Sequence, residues 1–376
     1  MKLIALKDVC KINMGQSPNS SSYNDYGDGM PFFQGNADFG ERYPITRVWC
    51  NTPTKIAQAE DILISVRAPI GALNYAKEEC CIGRGLAAIT PDRNKVSQDF
   101  IYWALKGKKA ELNDKGNGST FKAISRKILE ETMIPDINFE QQHKCAENLE
   151  KIYGIIQNRR KELLALDDLI KARFVELFGI PLDESKANMR FTDCVEFNPK
   201  KSEVKDMQNV EVSFIPMECV GVDGSFNIRE NGPVSNYYKG YTYFRDGDVL
   251  LAKITPCFEN GKAAIAEGCK NGIGFGTTEF HVARPKAGVS NSYWIKYLLK
   301  NDSVHDLATI NMTGSAGQKR IQTSFFEKLI IFCPPIQLQN QFADFVRQVD
   351  KSKVAVQKAL DETQTLFDSL MQEYFG

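Results

Sequence analysis

Two stretches of this chain place apolar residues at alternating steps of four and three. The first reads Cys145, Leu149, Ile152, Ile156, Arg159, Leu163, Leu166, Ile170, Arg173 and Leu177. The second reads Phe342, Val346, Val349, Lys353, Val356, Leu360, Thr363, Phe367, Leu370 and Tyr374. Both are heptad seams with a few polar interruptions, the pattern of helices that pair. Neither stretch contains Pro, and Gly179 and Gly376 stand where a helix-stopping glycine is expected. A helix of ~40 residues is about 60 Å long at 1.5 Å per residue, more than a domain needs to close its own core. The pattern predicts two long helices that pair antiparallel with each other, each preceded by a globular unit.

The polar and apolar positions outside the seams also occur twice. Pro135-Asp-Ile137-Asn-Phe139-Glu-Gln-Gln142 resembles Pro334-Pro-Ile336-Gln-Leu338-Gln-Asn-Gln341, 199 positions later, whereas Gly179 and Gly376 lie 197 apart. Two residues are therefore expected to differ inside the helices. Leu6-Lys-Asp8-Val-Cys-Lys-Ile-Asn13 resembles Phe191-Thr-Asp193-Cys-Val-Glu-Phe-Asn198, and Asp61-Ile-Leu-Ile-Ser-Val-Arg67 resembles Asp248-Val-Leu-Leu-Ala-Lys-Ile254. The short apolar runs at 61–66 and 248–252, bounded by Gly and Pro, read as strands. Residues 98–109 and 292–300 read as short helices. The expected architecture is α+β: two mixed α/β units, 1–138 and 180–337, separated by two long helices, 139–179 and 338–376. The helices form an antiparallel coiled coil with a pseudo-two-fold repeat.

Composition adds limits. The chain has 376 residues, 43% of them hydrophobic and 25% charged, which suits a globular protein of more than one domain. Lys+Arg and Asp+Glu both number 47, and neither unit is strongly basic. Non-specific affinity for nucleic acid scales with the phosphates neutralised. A DNA binder this neutral is expected to need partners for part of its grip on the backbone. Ten Cys without a CxxC pair, and no leader-like N-terminus, suggest free thiols in a reducing cytoplasm. No run approaches the ~18 apolar residues of a membrane span.

Candidate catalytic groupings are weak. His143, His281 and His305 are the only histidines, and none falls in an HExxH or zinc-like spacing. Asn260-Gly-Lys262-Ala263 lacks the upstream Gly and the hydroxyl residue of a phosphate-cradling loop. Gly272-Ile-Gly274-Phe-Gly276 leads into the strand-like Thr277-Thr-Glu-Phe-His-Val282, so it reads as a Gly-rich turn, not a nucleotide loop. No Asn-Pro-Pro-Tyr-like tetrapeptide occurs. Asp193 with Glu203 and Lys205 mimics a metal-nuclease set only as scattered carboxylates do by chance.

The loops offer DNA-binding chemistry instead. Gly118-Ser119-Thr120-Phe-Lys122 is small, polar and basic. Its counterpart is Thr313-Gly314-Ser315-Ala-Gly317-Gln318-Lys319-Arg320. Small residues let backbone N–H groups approach a phosphate, and Lys and Arg supply charge. Gln and Arg can read adenine and guanine edges bidentately. Gln34-Gly35, Arg67 and Lys253 are further candidates, the last two because they end the matched strands. Tyr23, Tyr26, Tyr237, Tyr238 and Tyr241 add aromatic groups in polar loops.

The repeated Pro-x-Ile helix start, the two Gly-Ser loops and the order unit, helix, unit, helix together resemble the specificity subunit of type I restriction-modification systems, along essentially the whole chain. The resemblance implies that each globular unit reads one half of a bipartite, asymmetric double-stranded DNA target. It implies that the helices set the gap between the halves. It further implies docking of two methyltransferase subunits, which bind S-adenosylmethionine and methylate adenine, and of restriction/translocase subunits. No cofactor is expected in this chain, and no catalysis. A non-catalytic coiled-coil scaffold that binds only protein is the competing reading.

Overall fold

The computed structural model describes residues 2–116, 122–183, 185–315 and 317–376. The chain forms two compact units: residues 1–160 with 358–376, and residues 161–357. The division falls within the two long helices, Phe139–Phe178 and Ile336–Phe375.

In the first unit a four-stranded antiparallel sheet runs in the order Cys10–Met14, Leu86–Pro91, Ile62–Ser65, Leu73–Tyr75. Ile62, Leu63 and Ile64 are fully buried, which explains why this strand reads as a continuous apolar run with no alternation. A five-stranded sheet contains the parallel pair Met30–Phe33 and Cys80–Ile82. The helix Gln98–Gly107 covers the core, with Phe100 and Trp103 buried. Trp103 meets Tyr153 of the first long helix edge-on at 5.4 Å and Phe367 of the second at 5.7 Å.

The second unit repeats this plan. Its antiparallel sheet runs Val195–Phe197, Phe280–Pro285, Val249–Ala252, Ala263–Ile265. A second four-stranded sheet again holds a parallel pair, Glu211–Ile215 with Ile273–Gly276. Ile273–Gly276 of the Gly-rich segment is therefore a buried strand, and Gly272 closes the turn before it. A Cβ on Gly274 would lie 2.1 Å from the Phe244 ring and one on Gly276 would lie 2.7 Å from the Ile215 carbonyl oxygen. Close packing, not a ligand, accounts for those glycines.

Within each unit the two long helices run antiparallel. In the first, Asn148 Nδ2 donates to Tyr374 Oη (3.3 Å) and Arg160 donates to Gln364 Oε1 (3.4 Å). In the second, Lys353 Nζ donates to Asp167 Oδ1 (2.7 Å), and Phe174 and Phe178 meet Phe342 edge-on at 5.5 and 5.4 Å. The seam is followed through Leu149, Ile156 and Ile170, then drifts: Phe174 and Phe178 are buried in place of the expected Arg173 and Leu177. Those phenylalanines belong to the core beneath the sheet as well as to the helix pair, so the apolar face turns toward the globular core.

The repeat itself needs a correction. Ala68 N–H donates to Lys122 O as Thr255 N–H does to Lys319 O, and Leu6 N–H donates to Thr132 O as Phe191 N–H does to Leu329 O. Buried Gln142 accepts the Ser97 N–H (2.7 Å) and donates to Ile137 O (2.8 Å). Buried Gln339 accepts the Asn291 N–H (3.0 Å) and donates to the Val289 and Pro334 carbonyls (both 2.9 Å). Each glutamine ties its long helix to the residue that opens a short helix, Gln98–Gly107 or Ser292–Lys300. Lys122 and Lys319, Thr132 and Leu329, Gln142 and Gln339, and Gly179 and Gly376 are all 197 positions apart. The structural partner of Gln142 is Gln339, not Gln341, and both long helices have 40 residues. No residues are lost between the two long helices.

Candidate nucleic-acid interface

Those candidate residues that are described lie, in each unit, near the edge where the central buried strand ends. In the first unit Val66 N–H donates to Gly85 O and Ile124 N–H to Val66 O, while Arg67 bridges Ala123. Arg67 and Lys122 are exposed there, and neither forms an ion pair among the described residues. Gly118, Ser119 and Thr120 lie outside the described residues.

Gln34 and Gly35 sit beside the same edge. Gly83 N–H donates to Phe33 O and Gly85 N–H to Gln34 O. A Cβ on Gly83 would lie 2.6 Å from Gln34 Oε1, one on Gly85 2.5 Å from Gln34 O, and one on Gly15 2.2 Å from Gly83 O. Three glycines thus let three backbone segments touch. Ser17 Oγ donates to Gln34 Oε1 (3.1 Å) and accepts the Arg84 N–H (3.2 Å). The backbone N–H groups of Gln34 and Gly35 both donate to Asp38 Oδ2 (2.7 and 3.2 Å). They are not free for a phosphate, so Gly35 serves the turn, and the Gln34 side chain is what remains to offer.

In the second unit Lys253 N–H donates to Glu279 O and Ile321 N–H to Lys253 O. This register makes Lys253 the counterpart of Val66, and Ile254 that of Arg67, so the two cations are not equivalent. Lys253 is half-buried, whereas Arg67 is exposed. Thr313 and Arg320 exchange backbone hydrogen bonds (3.0 and 2.8 Å) as the two arms of a hairpin, with Gly314 and Gly317 at φ of 129° and 80°. These are conformations that favour glycine. Ser315, Gln318 and Lys319 are exposed on it. Arg320 behaves differently. Its Nε and Nη2 engage both oxygens of Glu279 at 2.9–3.2 Å, and Nη1 donates to Gln318 O. The guanidinium beside Glu279 holds that carboxyl below the usual carboxylate range. Arg320 fastens the hairpin to the sheet, and the exposed charge of this loop is Lys319.

His281 supports the same hairpin from below. Its Nε2 donates to Ile321 O (2.9 Å), and Asn198 Nδ2 donates to its Nδ1 (3.2 Å), the tautomer that satisfies both contacts. Burial pushes its pKa down to about 4. His305 donates to Phe258 O (2.8 Å). Glu203 is engaged by Arg284 and Arg245, so it is not poised to hold a metal with Asp193, and no metal-binding cluster occurs among the described residues. Of the loop tyrosines, Tyr23 stacks on Phe32 and Tyr237 on Phe214, while Tyr26 is 79% exposed.

Sequence reasoning missed Arg84. It is exposed between two buried glycines and makes no side-chain hydrogen bond or ion pair among the described residues. The available signal was Gly83-Arg84-Gly85 directly ahead of a buried strand, a cation flanked by residues that permit close backbone approach.

A duplicated α/β unit, each copy offering exposed polar and cationic groups at the same strand end, defines a paired recognition module. Residues 1–166 and 192–363 match the type I restriction modification DNA specificity domain, and the chain belongs to that family. It is 47% identical over 152 residues to the putative type I restriction enzyme MjaX specificity subunit of Methanocaldococcus jannaschii, covering 40% of this chain and 36% of that one. It is 43% identical over 188 residues to the type I restriction enzyme EcoAI specificity subunit of Escherichia coli, covering 48% and 31%. The matched stretches thus span about a third of these curated relatives. The fold is similar over 100% of this chain, and 96% of the other, to the type I restriction-modification S subunit from M. genitalium, with a TM-score of 0.60 at 15% identity. No described helix is long and apolar enough to cross a membrane.

Proposed function

We infer that this chain reads a bipartite, asymmetric double-stranded DNA target, one half with each unit, and does no chemistry itself. The long helices set the gap between the halves and, with the units, dock two methyltransferase subunits that carry S-adenosylmethionine. Restriction/translocase subunits join that core, and the assembly works in the cytoplasm. The observation that carries this reading is the fidelity of the repeat: equivalent backbone hydrogen bonds frame equivalent strand ends, yet the side chains there differ. One edge carries Arg67, Arg84 and Lys122, and the other Ile254, Thr278 and Lys319. A shared frame with unlike reading groups suits a two-part target with unlike halves. The near-neutral charge of the chain fits a subunit whose partners supply much of the phosphate contact.

The test is a map of adenine methylation in source cells with and without this chain. A two-part motif that vanishes with the chain supports the function and reveals the target. Methylation that is unchanged overturns it in favour of a protein-binding scaffold.

A further inference from the structure

The Gly83-Arg84-Gly85 tip has the build of a fixed reading head. Arg84 is held through its backbone, not its side chain. Its own N–H is tied to Ser17 Oγ, and the N–H groups of its two neighbours are tied to Phe33 O and Gln34 O. Gly85 O in turn accepts the Val66 N–H. Larger residues at 83 or 85 would collide with Gln34, so the tip has little room to shift. Above this anchored backbone the guanidinium is exposed and unengaged among the described residues. The Gln34 amide beside it has its Oε1 held by Ser17, which turns its Nε2 donors away from that bond.

The same position in the second unit is filled otherwise. Lys253 N–H meets Glu279 O as Val66 N–H meets Gly85 O, which makes Thr278 the counterpart of Arg84. There a carboxylate, Glu279, stands in place of Gly85 and is neutralised by Arg320. The strongest planar donor at this edge is therefore free in one unit and consumed internally in the other. An Arg needed only for phosphate attraction gains nothing from an immobilised backbone. A base-reading Arg does, because bidentate hydrogen bonds to O6 and N7 of guanine demand a fixed approach.

We propose that Arg84, presented by the Gly83–Gly85 clamp beside Gln34, reads a guanine in the half of the target bound by the first unit, and that the second unit has no arginine doing so at this position. The proposal rests on the DNA-reading function inferred above and specifies which side chain performs part of it.

The test uses the chain co-purified with the methyltransferase subunits inferred above, and duplexes carrying the methylation motif mapped in source cells, with each base pair substituted in turn. Arg84→Ala should lower discrimination at one G·C pair of one half-site by about ten- to a hundredfold, leaving the other half unchanged. Arg84→Lys keeps the charge but loses the planar fork, and should lose the same discrimination while keeping the wild-type salt dependence. Matched melting temperatures establish that both variants are folded. Weakening that is equal for all duplexes, with a shallower salt slope, makes Arg84 a phosphate contact and overturns the proposal. So does discrimination that is unchanged at every position. If the wild-type complex prefers no duplex over random DNA, the functional reading itself fails, a result distinct from either of these.

Discussion

His281 shows how one buried side chain can set a pH limit on the recognition edge. Its pKa falls to about 4 in the fold, against 6.5 for the free side chain. As pH drops below about 6.5 the unfolded chain takes up the proton and the folded chain does not, so stability declines between about 6.5 and 4. The shift corresponds to a loss on the order of 3 kcal/mol at 1.36 kcal/mol per unit. Urea melts of wild type and His281→Gln at pH 7 and pH 5 should show a much smaller pH-dependent difference in the variant. An equal decline in both would locate the acid sensitivity elsewhere. Lys319 and Arg320, adjacent in sequence, should part company in the same way. Arg320→Ala releases the hairpin and should lower the stability of the second unit only modestly, since the pair with Glu279 is partly exposed. Lys319→Ala should leave stability within about 0.5 kcal/mol. It should instead weaken DNA binding across sequences and reduce the salt slope by about one. Melting curves and salt titrations of both variants separate these roles. The sequence placed both residues correctly in a basic loop. It did not show that Arg320 is engaged, because Glu279 is 41 residues away and joins it only through the sheet.

Among elements, the repeated glutamines carry more than a sequence signature suggests. Each is buried and joins three backbone segments, so its loss leaves polar groups unsatisfied. Gln339→Ala should cost roughly 2–4 kcal/mol, from several orphaned partners at about 1–3 kcal/mol each. Gln341→Ala, at the position that the Pro-based alignment favoured, should cost under about 0.5 kcal/mol, as an exposed substitution does. Chemical denaturation of the two variants decides which alignment the fold obeys. The long helices, the matched strands and the short helices were legible because periodicity survives in one dimension. The drift from Arg173 and Leu177 to Phe174 and Phe178 was not, because a heptad template assumes a single partner and these residues pack on two. The clamp of Gly83 and Gly85 on Gln34, with Gly15 against Gly83, was hidden for a similar reason. A glycine required by a distant backbone looks in sequence like any turn glycine.

For the whole molecule, the sequence told the order of parts but not how they are shared. Each compact unit draws on both long helices, and the first unit includes the final residues 358–376 as well as residues 1–160. Phe367 and Phe375 from that segment pack on Trp103 and Phe100 of the first unit. Removing residues 358–376 should therefore leave the second unit folded and open the first. Limited proteolysis of the truncated chain should cut within residues 1–160 and spare 161–357. Equal resistance in both regions would mean that the first unit closes without its last helix half.

The sharing also fixes a timetable. A chain emerges from the ribosome N-terminus first, and domains generally fold in that order. Here the second unit has all of its residues once position 357 has emerged, while the first must wait for the last residues of the segment 358–376. The unit that is translated first is thus the one that is finished last. Until then Trp103 and Phe100 lack two of the aromatic rings that cover them, and the first unit waits, part open, for the segment 358–376.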